Sequence, residues 1–423
     1  MQEDFLHYIW QFKKFELQDL KTTANEDVVV KTVGSHNQNA GPDFFNAQLY
    51  IGEQLWAGNV EIHLKSSDWF VHHHENDKAY DNVILHVVWE HDTPVFRKNN
   101  TEISTLELKN KVSANTLANY KRLFTKASKW INCEKDFVDV DEFLLNNWLD
   151  RLYIERLEFK SKELEELIER SNNNWEAVLF KLLAKNFGLK INSESFLSIA
   201  NSVDFSVVRK ASQKTQSIEA LFFGQSGLLN REVEGTYFKQ LKQDYIFLKT
   251  KFKLSNEGVL PLQFFRLRPS SFPTIRLSQL ANLYASHQQL FSKLIEASSI
   301  KDVYSIFDVK ASVFWETHYT FESTSKKFVK KLSKSFINLL IINTIVPLKF
   351  SYVKHKGKEI NDELLKLISE LPSEKNSIID KFNSLKKVSY SALQSQSLLQ
   401  LKNEYCNKNK CLKCAIGSSL IAG

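Results

Sequence analysis

Glycine and proline are scarce in this chain of 423 residues, which contains 12 glycines and 7 prolines. Because these two residue types mark turns and loops, their scarcity favours long helices and strands. Hydrophobic residues make up 43% and charged residues 25% of the chain, as is ordinary for a soluble globular protein. A chain of this length can form two or three domains with sizeable cores.

Sequence motifs of several enzyme classes are also missing. The chain contains no Gly-rich Walker loop, no dinucleotide-binding fingerprint and no nucleophile elbow. These absences disfavour a nucleotide-driven motor and a serine hydrolase. The formal net charge of +7 is compatible with a polyanionic partner but does not require one.

A membrane-spanning segment is not expected either. The longest apolar run, 336–347, is interrupted by Asn338 and Asn343 and is shorter than the roughly 20 residues that cross a bilayer. The first residues are acidic and lead into an amphipathic pattern, unlike a signal peptide. We therefore expect a cytoplasmic protein with no membrane contact. In that compartment the four cysteines are metal ligands or free thiols rather than disulfides.

The first 112 residues predict an α+β domain. Apolar residues recur at helical spacing over 4–22, and the polar segment 66–82 leaves room for a short second helix. Alternating or continuous apolar residues predict strands at Asp27–Val33, Phe44–Ile51, Leu55–Leu64, Val83–Trp89 and Thr101–Leu108. The predicted order is one helix, three strands, a short helix or loop, and one or two further strands.

Helical periodicity dominates after residue 113. We assign 113–300 to a helical domain and 301–423 to a C-terminal helical region that carries a cysteine cluster. The predicted helices are Asn115–Trp130, Val140–Arg170, Trp175–Phe187, Ile218–Leu229, Glu234–Phe252 and Leu277–Leu294, with others after residue 325.

The candidate catalytic residues lie on the third predicted strand. Successive side chains of a strand point to opposite faces, so Glu61, His63 and Lys65 are expected to share one face. The other face is expected to pack in the core with Val60, Ile62 and Leu64. Asp43, one short hairpin earlier, supplies a second carboxylate. Because carboxylate oxygens bind Mg²⁺ or Mn²⁺ and such ions activate water, this pattern predicts a phosphodiesterase site, with His63 as a further ligand or a general acid/base.

This order of elements, with an aspartate after a proline at the second strand, resembles the core of the PD-(D/E)xK nucleases over about residues 1–110. Gly41-Pro42-Asp43 matches the first half of the motif. In the second half, Glu61 stands four residues before Lys65 and His63 stands two before it. The resemblance implies that the aspartate and the glutamate bind the metal ion, that the lysine assists the attacking water, and that nucleic acid is the substrate.

Histidines cluster in the same region. Seven of the eleven lie within one short part of the chain, at His36, His63, His72, His73, His74, His86 and His91. A different metal hydrolase, with Zn²⁺ or Mn²⁺ held by His63, His72, His74, Asp77 and His86, is therefore a further hypothesis. The other three histidines, His36, His73 and His91, are interpreted as bystanders.

Two other interpretations remain open. If the shifted motif has lost its chemistry, the chain is a non-catalytic module that binds nucleic acid or a protein partner on a nuclease scaffold. In a purely structural interpretation, Glu61 and Lys65 form a solvent-exposed pair and Asp43 caps a turn. The chain as a whole also resembles an uncharacterised bacterial family, defined only as a domain of unknown function, and that resemblance implies no activity.

The four cysteines predict a second metal site. Cys406, Cys411 and Cys414 lie within nine residues of each other, and Cys133 is the fourth cysteine. Four thiolates can hold Zn²⁺ or an iron–sulfur cluster. The alternative is a set of free thiols, with Cys133 packed as a small hydrophobic residue. One distant cysteine plus three near the C-terminus resembles the iron–sulfur clasp of helicase-associated nucleases, which implies a cluster that joins the end of the chain to its earlier part.

A proline-rich segment interrupts the helical region and carries three arginines. Arg266, Arg268 and Arg276 are interleaved with phenylalanines, a pattern that favours contact with nucleic-acid phosphates and bases. The alternative is a domain-junction loop whose arginines pair with acidic helices.

Overall fold

The computed structural model describes residues 1–37, 39–125, 129–358 and 362–422. The chain divides into two compact units. The first contains Met1–Leu149, Ser384–Lys387 and Gln400–Gly423, and the second contains Asp150–Asn383 and Val388–Leu399.

The first unit begins with helix α1 (Glu3–Gln11) and a mixed sheet. The strands of this sheet are β1 (Val28–Thr32), β2 (Ser35–His36), β3 (Phe44–Ile51), β4 (Gln54–Lys65), β5 (Val83–Glu90) and β6 (Thr105–Glu107). Helix α2 (Asp68–Val71) and two 3-10 turns, His74–Asn76 and Lys78–Tyr80, connect β4 to β5. Helix α3 (Ala114–Phe124) follows the sheet. The predicted mixed α and β character of this region is confirmed.

The strands are ordered β1-β3-β4-β5-β6, and β2 also pairs with β3. The pairs among β1, β3 and β4 are antiparallel, whereas β4–β5 and β5–β6 are parallel. The close approach of β4 and β5 depends on Gly58, because a Cβ atom there would lie 2.4 Å from the Cγ2 atom of Ile84. The register of this parallel pair shifts just after Gly58, between Asn59 and Val60.

The central strands are buried on both faces. Every residue of β4 from Gly58 to His63 is buried, and so are the first six residues of β5. Two-sided burial is usual for parallel strands with covered faces, and it explains the continuous apolar run of β5. The prediction of one core face on β4 is therefore incomplete, because Glu61 and His63 are also buried. A smaller apolar cluster, Trp69, Tyr80, Val83, Val95 and Ile103, lies beside the β4–β5 connection.

The second unit is helical and has one large apolar core. Helix α4 (Glu142–Arg170) leads into it, followed by α5 (Trp175–Phe187), α6 (Leu189–Asn201), α7 (Phe205–Ala211), α8 (Thr215–Gln225), α9 (Thr236–Phe252), α10 (Pro273–Ser286), α11 (Leu290–Glu296) and α12 (Ile300–Ile306). Next come α13 (Lys334–Leu340), a π-helical turn (Ile341–Ile345), α14 (Val346–His355), α15 (Asp362–Ser369), α16 (Ser377–Leu385) and α17 (Ala392–Gln400). The chain then ends in the first unit with a π-helical turn (Leu401–Cys406), a 3-10 turn (Cys411–Lys413) and α18 (Ala415–Ala422).

These units differ from the predicted boundaries after residues 112 and 300. Helix α3 packs against α18 in the first unit, which therefore extends past residue 112 and includes the C-terminus. Such a contact between distant parts of the chain leaves no periodic signal in the sequence. The helix predicted to reach Trp130 ends at Phe124, and residues 126–128 lie outside the described part of the chain.

Within the described part of the chain, one continuous helical segment, Lys334–His355, has the length and apolar composition of a membrane span. Of its most apolar window, 67% is buried inside the protein. Burial of this kind is found in the core helices of soluble proteins.

Candidate metal centre

Two carboxylates lie side by side where β3 begins beside β4. The Asp43 carboxylate accepts a hydrogen bond from the backbone N–H of Ile62 at 2.9 Å, and the Asp43 N–H donates to the Glu61 carboxylate at 3.2 Å. This reciprocal pair exists because antiparallel pairing places Phe44 opposite Val60. The backbone therefore fixes both carboxylates.

Burial makes the carboxyl of Glu61 an unusually weak acid. Its residue surface is 5% exposed. Burial, followed by the charge of Asp43, raises the pKa of Glu61 from 4.5 to about 9. A carboxyl group in this position becomes an anion at neutral pH only if a cation compensates its charge.

The His63 ring lies next to these carboxylates and is held on both sides. Its Nδ1 atom is 2.8 Å from Nε2 of His86, and its Nε2 atom is 3.1 Å from Nδ1 of His72 and 3.5 Å from an oxygen of Glu61. Burial lowers the pKa of His63 to about 2 and the pKa of His86 to about 3, so both rings are neutral. If His63 donates its Nδ1–H to His86, its Nε2 lone pair faces Glu61 and His72.

His74 completes this group from the connection after α2. Its Nε2 atom lies 3.2 Å from an oxygen of Glu61. The ring stacks on Tyr80, with ring centres 3.8 Å apart, and lies edge-on to Trp69 at 5.3 Å. These aromatic contacts fix the ring, and the nitrogens of His63, His72 and His74 all lie within 4.8 Å of one another. Three such nitrogens are close enough to hold one metal ion.

Helix α1 brings two further residues to the centre that sequence reasoning missed. The Nε2 atom of His7 is 3.2 Å from a carboxylate oxygen of Asp43. Burial disfavours the charged His7 ring, but the close contact with the Asp43 carboxylate and the charge of that carboxylate outweigh burial and raise the pKa of His7. Burial and then the charge of Asp43 raise the pKa of Glu3 to about 7. The spacing of Glu3 and His7, four residues apart on one helix face, is a signal that could have suggested them.

The short contacts of His7 and His74 have a common feature. In each, an imidazole Nε2 atom lies 3.2 Å from a carboxylate oxygen. Among the described residues, neither nitrogen has an aligned hydrogen-bond partner, although both are buried. Ligand atoms about 2.1 Å from a tetrahedral ion lie about 3.4 Å from each other. The residues at this centre therefore fit a metal ion, because their spacing suits shared ligands better than hydrogen bonding.

The two sites predicted from sequence form one centre, but two predicted members lie apart from it. Lys65 is exposed, and within the described ranges its ammonium group forms no ion pair or hydrogen bond; its backbone N–H donates to Asp68. The Asp77 carboxylate is also exposed and caps a 3-10 turn by accepting from the backbone N–H of Ala79. Both residues are at the periphery because β4 leaves the buried sheet at Lys65 and Asp77 serves a turn.

The three histidines interpreted as bystanders differ in position. His73 is exposed and adopts a left-handed backbone conformation with φ of 60°. His91 lies at the end of β5, where its N–H donates to Glu107. In contrast, the His36 ring lies 5.5 Å from that of His7 and so borders the centre.

The four cysteines line one cavity in the first unit. Its other walls are largely apolar and include Ile131, Phe137 and Leu401. All four thiols are free, and the amide of Asn132 contacts the sulfur of Cys411 at 3.3 Å. Burial raises the pKa of each thiol, to about 12 for Cys133 and about 11 for Cys414, and burial also raises the pKa values of Cys406 and Cys411. The predicted grouping of Cys133, Cys406, Cys411 and Cys414 is thus seen in the structure.

The three arginines of the proline-rich segment separate into two environments. Arg266 and Arg268 are exposed, and Arg266 lies over the exposed ring of Phe265 at 5.1 Å. Arg276 is 8% exposed, stacks over Phe336 at 3.7 Å and donates to Gln279 at 3.0 Å. The predicted contact of Arg276 with nucleic acid is therefore wrong, because helix α10 buries its side chain.

Comparison with known proteins assigns the chain to a family. Residues 3–377 match the profile of a family described as "Protein of unknown function (DUF2851)". The chain belongs to the DUF2851 family. This membership confirms the predicted resemblance to a family of unknown function. No curated protein and no solved structure matches this DUF2851 chain.

Proposed function

We propose that this DUF2851 protein is a metal-dependent phosphodiesterase that cleaves nucleic acid. Its metal ligands come from Asp43, Glu61, His63, His72 and His74. One observation carries the proposal: the His74 nitrogen lies 3.2 Å from a buried oxygen of Glu61 without a hydrogen bond among the described residues. Burying a nitrogen and an oxygen atom so close together without a hydrogen bond destabilises the folded protein unless a cation binds both atoms.

The donor set favours a transition metal. Imidazole nitrogen mixed with carboxylate oxygen suits Mn²⁺, Fe²⁺ or Zn²⁺ better than Mg²⁺, which prefers oxygen ligands alone. Of the two ions predicted from sequence, Mn²⁺ is therefore favoured. When bound, such an ion neutralises phosphate charge and lowers the pKa of a bound water.

The topology of the sheet supports the nuclease resemblance. Three antiparallel strands are followed by a short helix and a parallel strand, in the order that the resemblance implies. In the motif the basic residue stands two positions after the carboxylate, and here that position is His63. We therefore propose that His63, beside Glu61, occupies the basic position of the motif as a metal ligand, and that Lys65 does not take the predicted part in assisting the attacking water.

Cleavage assays with purified protein test this function. We expect cleavage of labelled DNA or RNA with Mn²⁺, and loss of cleavage in Asp43→Asn and His74→Phe variants. Two control variants, Asp77→Asn and Lys65→Ala, change the peripheral residues and should keep the cleavage rate within about twofold of wild type. A change of about 1.4 kcal/mol in the activation free energy would alter the rate tenfold. Absence of cleavage with any of Mn²⁺, Fe²⁺, Zn²⁺ and Mg²⁺ would refute the proposal, and intact nucleic-acid binding would then favour the non-catalytic alternative.

A zinc hydrolase acting on small substrates is a second candidate. The close nitrogens of His63, His72 and His74 favour it, because three histidines are a common zinc ligand set. Stoichiometric zinc in the purified protein, with hydrolysis of a small phosphate diester but not of nucleic acid, would support this candidate over the first.

We also propose an iron–sulfur cluster at the four cysteines. Sulfurs around a single zinc ion lie about 3.8 Å apart. Among the described residues, the set close enough to share one ion consists of histidines and includes no cysteine. Visible absorbance and iron content test the cluster. Colourless protein with one zinc per chain, lost on Cys411→Ser, would instead establish a zinc site.

A further inference from the structure

A groove of about 950 Å³ in the first unit is lined by none of the proposed metal ligands. It is lined by α1, α3 and the cysteine hairpin, which we define as 406–414. Its volume lies at the upper end of the range found for ligand-binding pockets, about 300–1,000 Å³.

The groove wall is basic. It contains Lys121 from α3 and Lys408, Lys410 and Lys413 from the cysteine hairpin. Among the described residues of the wall, Asp4 is the one carboxylate. Lys408 pairs with Glu404 at 2.5 Å, whereas the other three lysines are exposed and have no ion pair within the described ranges. The uncompensated positive charge indicates an anionic ligand.

Aromatic side chains line the same groove. The Phe12 ring is 49% exposed and lies 5.2 Å from the Tyr8 ring. On α3, the half-buried Phe124 ring lies 4.9 Å from the ring of Tyr120, which is one helical turn earlier. The packed tyrosines hold both phenylalanine rings in fixed positions, so that flat faces are available for stacking. A basic groove lined with aromatic rings is typical of surfaces that bind single-stranded nucleic acid.

The groove continues to the metal centre. His7 and His36 belong to its wall. The same His7 ring is 3.2 Å from Asp43, so one side chain borders both the groove and the candidate ligands. A strand lying in the groove would therefore bring a phosphodiester towards Asp43 and Glu61.

We propose that this groove binds single-stranded nucleic acid, with its phosphates on Lys121, Lys410 and Lys413 and its bases on Phe12 and Phe124. The delivery of a phosphodiester to the metal centre rests on the proposed function, but binding in the groove does not.

Binding is measured by fluorescence anisotropy with a labelled single-stranded oligonucleotide of about 10 nucleotides, in EDTA so that no cleavage occurs. We expect Lys410→Glu/Lys413→Glu to weaken binding at least tenfold. The slope of log affinity against log salt should become shallower by about 1.4. Lys121→Glu, outside the cysteine hairpin, should also weaken binding, and Phe12→Ala should weaken it about tenfold without changing the salt slope. The exposed Lys98→Glu is the matched control.

Equal affinity of the Lys121→Glu and Lys98→Glu variants for the oligonucleotide would overturn the proposal that the groove binds nucleic acid. Tighter binding of a duplex than of the single strand would overturn the stacking part of the proposal. Strong binding in EDTA without cleavage in any metal would leave the groove standing and refute the proposed function. If cleavage occurs and its KM is unchanged in the Lys121→Glu and Lys410→Glu/Lys413→Glu variants, the proposed function stands and the groove proposal is refuted.

Discussion

Replacing Glu61 with glutamine should stabilise the metal-free protein. The carboxyl of Glu61 is buried beside Asp43, and its pKa is raised from 4.5 to about 9. Below pH 4.5 the carboxyl is neutral in both folded and unfolded chains and carries no penalty. As the pH rises towards 9, the unfolded chain ionises while the folded one holds its proton, and stability is lost.

The magnitude follows from this difference in pKa. Each pH unit between 4.5 and 9 costs the folded protein about 1.4 kcal/mol, so about 3 kcal/mol is lost at pH 7. Glutamine resembles the neutral carboxyl in shape, has no proton to lose, and can donate to the free nitrogen of His74. For a unit of this size, 3 kcal/mol corresponds to an increase in Tm of about 6–12 °C.

Thermal unfolding in EDTA at pH 5 and pH 7 tests this reasoning. Glu61→Gln should exceed wild type in Tm at pH 7, with a smaller difference at pH 5. Added Mn²⁺ should raise the Tm of wild type but not that of the variant. The exposed Glu53→Gln is the control and should follow wild type. A lower Tm for Glu61→Gln in EDTA at pH 7 would refute the argument.

Three further predictions concern the fold and the cysteine site. Burial beside Arg156 lowers the pKa of Lys160 from 10.5 to about 7, so the free energy of unfolding should rise with pH between these two values. Lys160→Met should remove this pH dependence and add up to about 5 kcal/mol to the free energy of unfolding below pH 7. A free energy of unfolding that does not change with pH in urea titrations of wild type would contradict this prediction. Gly58→Ala should lower the free energy of unfolding by about 1–3 kcal/mol in urea denaturation, because the added Cβ atom would clash with Ile84. Unchanged stability would show that the close approach of β4 and β5 does not require glycine at this position. Cys411→Ser should abolish binding of the proposed metal at the four cysteines and lower Tm, as elemental analysis and thermal unfolding will show; a metal content equal to that of wild type would exclude this cysteine as a ligand.

The strands of the first unit could be predicted well from sequence. Phe44–Ile51 is found with the predicted bounds. The predicted strand Leu55–Leu64 is one residue short at each end, and Val83–Trp89 is one residue short at its C-terminal end. Apolar alternation and continuous apolar runs are local signals, and the packing of the sheet follows them here. The C-terminal return to the first unit was not predictable in this way, because it depends on α18 packing against α3.

The candidate site was predicted only in part for a related reason. Alternation correctly placed Glu61 and His63 on one face, but the same rule included Lys65, which lies beyond the buried stretch of β4. Alternation predicts to which face of a strand each side chain points, but it does not predict which part of the strand neighbouring elements bury. His7 was missed because its proximity to Asp43 depends on how α1 packs on the sheet.

By itself, the sequence determined the mixed order of strands and helices, the clustering of histidines and the grouping of three cysteines. Those features arise from side-chain periodicity and from short spacings along the chain. Only the tertiary structure decided that the two predicted sites are one, that Arg276 is buried and that Cys133 lies with the distant cysteines. These outcomes depend on contacts between residues far apart in the chain, and on the burial that such contacts create.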